Sequence, residues 1–250
     1  MIPRVKFSVI PLDSMLKGLQ DFLSVNHPWS KALLHEYPEL ERALERATNP
    51  KKRKAVIDEY FRREYSLSRD NLEATSQRFQ KSWDSVNASF LKALSDVVEM
   101  PWSGAPYIAA RVSMNMICPR FLDKRVFDVY YKSTSEKMRR ISAHEVLHFL
   151  YFDKLAAVFP DIPKSHYEGP YLSWKLSEMV PLAVLSDPRI QKVLPHKPHI
   201  YTQWQKTDVD GRPLLDQLQE IYDSRKDFAD FLRKAYDFVQ KHQKEIGELK

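Results

Sequence analysis

Residues Ser133 to Val158 constrain this chain more than any other stretch. Val146, Leu147, Phe149, Leu150, Tyr151 and Phe152 crowd here around His144, Glu145 and His148. A helix that is apolar nearly all round is a buried helix, so the fold must be assembled about this one. Ser133 followed by Glu136 has the capping-box spacing that starts a helix, and Pro160 stops it, which predicts a helix to about Val158. Two histidines and a glutamate inside such a helix need partners, because unpaired buried polar groups are costly. A solvated face would need none, but its neighbours would then be polar. His144 and His148 are four residues apart and lie one above the other on the same helical face. Two imidazoles so placed can grip one metal ion. Glu145 follows the first of them directly, so it can lean over the open side of the metal and take a proton from a bound water.

His144-Glu145-Val146-Leu147-His148 reads His-Glu-x-x-His, and at this point the chain resembles the zincins, a superfamily of zinc-dependent peptidases. The resemblance implies a zinc cofactor with three protein ligands and one water, and Glu145 as general base. One zincin branch continues the motif with a glycine and a third histidine. Here Phe149 to Lys154 offer neither. The gluzincin branch takes a glutamate from the next helix, and Glu178, within Trp174–Met179, stands in that order. The resemblance is therefore gluzincin-like, with Glu178 carried over as third ligand. His166 and Glu168 in the preceding loop, and Cys118, remain competitors for that position. A second electrophile is implied from the segment Pro195–Tyr201, which holds His196, His199 and Tyr201.

The resemblance covers about residues 70–186 and implies an α+β, mostly helical fold. A small twisted sheet, a backing helix, the motif helix and a Glu-bearing helix make its zincin-like core, with further N- and C-terminal helices. Composition agrees with the helical part, since 250 residues hold only five glycines and 43% hydrophobic residues. The expected organisation is a single domain over 1–250. Residues 1–68 form a mainly helical N-terminal region, 69–186 the catalytic core and 187–250 a C-terminal helical region.

Periodicity and punctuation suggest the elements. Val5–Ile10 alternates as a strand. Asp13 or Ser14 starts a helix to about Val25, and Pro28 or Ser30 starts another to Ala47 that is interrupted near Pro38. Asn49-Pro50 opens the next, to about Tyr65. Ser68 then caps one long helix to Val98, whose Leu72, Phe79, Trp83, Val86, Phe90, Leu94 and Val97 share a face. Tyr107–Ile117 and Val126–Tyr131 read as strands paired in a hairpin, either of which offers an edge to an extended peptide. Pro170 opens the helix bearing Glu178, and Pro181 bends it. Trp174 and Leu182, one turn to either side of Glu178, are expected to pack on the motif helix. Two more helices fill about 213–223 and 226–245.

The formal charge of +6 is spread among 33 acidic residues, so nucleic acid is not indicated beyond a mildly basic balance. Pro50 to Lys54 has the composition of a short nuclear-import signal or a phosphate-contacting patch, but reads more simply as the solvated first turn of a helix. With one cysteine no disulfide forms within the chain. The first twelve residues lack a signal-peptide core, and no stretch is apolar enough for a membrane span, so a cytoplasmic location without membrane partners is expected. The expected function is a zinc-dependent peptidase acting on a peptide or protein substrate. Its rival is a catalytically inactive zincin-like protein that holds metal structurally and acts as an interaction module.

Overall fold

In the computed structural model the described residues are 1–24, 27–104 and 106–247. Along the chain, β1 (Arg4–Val9) leads to α1 (Leu12–Phe22), α2 (Ser30–Glu36), α3 (Pro38–Glu45), α4 (Pro50–Leu67), α5 (Arg69–Asp84) and α6 (Asn87–Val98). Three strands follow, β2 (Tyr107–Ser113), β3 (Arg120–Phe121) and β4 (Val126–Tyr130). The motif lies on α7 (Ser135–Val158) and Glu178 on α8 (Leu172–Leu185). The remainder is α9 (Pro188–Gln191), α10 (Thr202–Gln205), β5 (Asp208–Val209), β6 (Arg212–Pro213), α11 (Leu214–Asp223), α12 (Phe228–Lys241) and α13 (Gln243–Ile246). The protein is α+β and mostly helical. No helix among the described residues is long and apolar enough to cross a membrane.

The residues fall into two compact units, one of Val5–Ser85 with Tyr107–Ser142, the other of Met1–Arg4, Val86–Pro106 and Ala143–Lys250. The first holds the four-stranded sheet, ordered β1-β2-β4-β3. β2 and β4 run parallel, Ala109 opposite Val126 and Ser113 opposite Tyr130, while β3 is antiparallel to β4. The predicted hairpin of β2 with β4 is thus corrected. The chain leaves β2 through Asn115, whose Oδ1 accepts from Ile117 N at 2.9 Å, and through Cys118 in the left-handed region. It runs back as β3 and turns again at Leu122–Arg125, so the hairpin is β3–β4. β2 and β4 are both interior strands and present no free edge. β1, one true edge, is blunted. The Gln80 side chain accepts from Phe7 N at 2.8 Å and donates to Val5 O at 3.1 Å, taking the place of a neighbouring strand.

Helices α1, α3 and α4 pack together in this unit, and α5 lies against β2. The Tyr65 hydroxyl donates to Ile10 O and that of Tyr37 to Met114 O, so the N-terminal helices are tied to residues just beyond β1 and β2. Asn49 caps α4 as its sequence suggests, accepting from Lys52 N at 2.9 Å. The first helix begins earlier than Asp13, after Pro11, and its expected end at Val25 lies outside the described residues. The long helix of 68–98 is two helices, α5 and α6. The Ser82 carbonyl, which would accept from Val86 N, instead takes the Ser85 hydroxyl and two donors of Arg139. α7 is capped by Thr134, whose Oγ1 accepts from Lys137 N at 3.1 Å, rather than by Ser133.

The second unit is built on α8, which packs against α11 and α12. Leu176, Val180, Ala183 and Val184 are all buried. Each such Leu or Val stabilises the fold by roughly 1.5–3 kcal/mol. Asp210-Gly211, both at positive φ, form the tight turn of the β5–β6 hairpin, as an Asp-Gly pair between two short strands does.

Asp187, just past α8, is a buried tie of this unit. Its carboxylate accepts from Arg189 N and Nε, from Arg189 Nη2 and from the Tyr222 hydroxyl, at 2.8–3.0 Å. Burial pushes its pKa up, but the Arg189 and Tyr222 donors outweigh that and hold it near about 2, against an ordinary 3.8. Since its folded pKa is depressed, its contribution is full above pH 3.8 and fades as pH falls toward about 2. Asp187→Ala is expected to cost about 2–3 kcal/mol at pH 7, measured by urea unfolding. The difference from wild type should shrink near pH 2.5.

Candidate metal centre

The site forms where α7 and α8 present three side chains to one another within the second unit. His144 and His148 project from one face of α7 on successive turns. Their Nε2 atoms are 2.9 Å apart. Glu178 projects from α8 with Oε2 at 3.3 Å from His144 Nε2 and Oε1 at 3.6 Å from His148 Nε2. These three are the group of histidine, cysteine and acidic side chains, among the described residues, placed to hold one metal ion.

Burial grades across the site. His148 is fully buried and Glu178 is 4% exposed, whereas the His144 side chain keeps 20% of its surface. Solvent therefore reaches the cluster on the His144 side. Glu145 is 9% exposed. On an ideal helix it lies about 60° round from His148 and one turn before it, beside the ligand face rather than on it.

The donor set fits zinc. Two imidazole nitrogens and a carboxylate oxygen are ordinary zinc ligands, with bonds near 2.0–2.2 Å, which makes the edge of a tetrahedral site about 3.3 Å. The three separations observed scatter around that edge. Hydrogen bonding alone offers a simpler account of the His144–His148 contact. It explains less well why a carboxylate also converges on the same two ring nitrogens, because a neutral imidazole has only one N–H to share. A cation at the centre satisfies all three lone pairs together.

The competing ligands stand elsewhere. The His166 ring stacks on Tyr171 with centroids 3.9 Å apart, and its carbonyl accepts from the Ser173 hydroxyl. Glu168 follows the short 3-10 turn Lys164–Tyr167 and Cys118 is buried in the sheet unit; neither belongs to the group. His196 is folded onto its own loop, with Nδ1 at 2.8 Å from Leu194 O. Tyr201 packs with Trp174 and Trp204, and His199 is exposed.

On α8, Trp174 packs with Tyr201 and Trp204. Leu182 lines a small apolar cavity with Leu176, Met179, Leu215, Leu218 and Phe231. Glu178 is aimed because the opposite face of α8 is fixed on α11 and α12. Sequence reasoning also missed Tyr167. Its ring is parallel to that of Phe152 at 4.6 Å, and Phe152 in turn lies over His148. Phe152 stands four residues past His148 and was legible as a neighbour; nothing in the sequence marks Tyr167. Comparison with protein-family models, with curated proteins and with solved structures gives no match.

Proposed function

We propose that the chain is a zinc-dependent peptidase of gluzincin-like type, with His144, His148 and Glu178 as ligands and Glu145 as general base. The observation that carries this reading is the convergence of three donors from α7 and α8 on one point, with a second carboxyl, Glu145, next to the first ligand in sequence. Zinc held there supplies a Lewis acid for a carbonyl and lowers the pKa of a water. The protein's own part is positioning and proton transfer. The two imidazoles and Glu178 hold a fixed, largely dry pocket wall. Glu145 takes the proton from the attacking water and returns it to the amine nitrogen that leaves when the peptide C–N bond breaks. The partly exposed His144 side gives water and an extended peptide their approach. A cytoplasmic location belongs to the same proposal and rests on the lone, buried Cys118.

The test is a screen of unstructured protein and peptide-library substrates with zinc-loaded protein. Expected is cleavage that a chelator stops and added zinc restores. Absence of any cleavage by a zinc-loaded, folded chain would overturn the peptidase reading.

A further inference from the structure

Phe152 and Tyr167 do nothing in the chemistry just described, yet they extend the ligand set into the protein. His148, Phe152 and Tyr167 form a continuous ladder of near-parallel rings. Interplanar angles are 23° and 22°, and centroid separations are 6.2 and 4.6 Å. All three are buried, at 0%, 4% and 6% exposure. Tyr151 closes the side of the ladder, edge-on to Phe152 at 5.1 Å. The far end of the ladder belongs to the loop between the two ligand-bearing helices. That loop is held to α8 as well, because the Ser173 hydroxyl donates to His166 O next to Tyr167. One segment therefore touches α7 through a ring and α8 through a hydrogen bond.

We infer that Tyr167, acting through Phe152, is a positioning residue for the metal centre. It sets the plane of the His148 ring and the spacing of α7 from α8 before metal arrives. This rests on the metal reading above. The physics is that of ligand preorganisation. An imidazole is free to rotate about two side-chain bonds, and its lone pair must point at the metal to within a narrow cone. Hydrogen-bonded outer partners usually supply that constraint, and losing one costs 10–100-fold in metal affinity. Stacked rings add a constraint of the same kind, worth more than their buried area alone because parallel offset packing is favourable in itself.

The experiment measures zinc affinity by competition with a chromophoric chelator, and the visible spectrum of the cobalt-substituted protein. Tyr167→Leu and Phe152→Leu should each weaken zinc about 10–100-fold and alter the cobalt bands, which report ligand geometry. Tyr167→Phe keeps the ring and should restore both. Leu40→Ala, a core truncation on α3 in the sheet unit, should lower the melting temperature without moving either readout. Wild-type zinc affinity in Tyr167→Leu, or the same loss in Leu40→Ala, would overturn the inference. A wild-type chain that takes up no zinc would instead remove the metal reading, and this inference with it.

Discussion

Glu178→Ala is expected to abolish stoichiometric zinc binding while the fold persists. Wild-type protein purified without chelator should carry about one zinc per chain, because one group of three converging donors is present among the described residues. Glu178 supplies the anionic member of that group and both of its oxygens face a histidine nitrogen, at 3.3 and 3.6 Å. Without it two neutral imidazoles remain. The loss should exceed the 10–100-fold that follows removal of an outer partner, since a direct bond is lost. Glu168→Ala and His166→Ala should bind zinc as wild type does, because neither side chain belongs to the group. Elemental analysis and chelator competition decide it. Undiminished zinc in Glu178→Ala would mean that the third ligand is elsewhere, and the gluzincin-like reading would go.

Glu145→Gln should separate metal from catalysis. The amide has the shape of the carboxylate and fits the same nearly buried position, so zinc content and the circular dichroism spectrum should not change. An amide cannot take a proton from water. Turnover of any substrate found by screening should therefore fall about 10²–10⁴-fold, the usual worth of a positioned general base. Equal turnover in mutant and wild type would show that Glu145 is not the base.

What was legible in the sequence is what local periodicity controls. The burial of α7, the shared face of His144 and His148, the cap at Asn49 and the mostly helical class all follow from residues close together in the chain. Errors cluster where a distant group decides. Arg139, far along the chain, takes the Ser82 carbonyl and so helps split the helix expected over 68–98. The two-residue strand Arg120–Phe121 is too short for any periodicity, yet its pairing with β4 leaves β2 and β4 parallel rather than in a hairpin.

The candidate site divides along the same line. Helical geometry alone puts two imidazoles one turn apart and a glutamate beside them, because 3.6 residues per turn leaves no other arrangement. That part was determined by five consecutive residues. Whether Glu178 reaches them depends on how α8 is rotated, and residues of α11 and α12, more than thirty positions later, hold that rotation by burying Leu176, Met179 and Val180. The Phe152–Tyr167 stack likewise exists only because the intervening loop folds back. Side-chain packing between segments distant in sequence has no period to read, so only the tertiary structure could bring Glu178 to the two histidines.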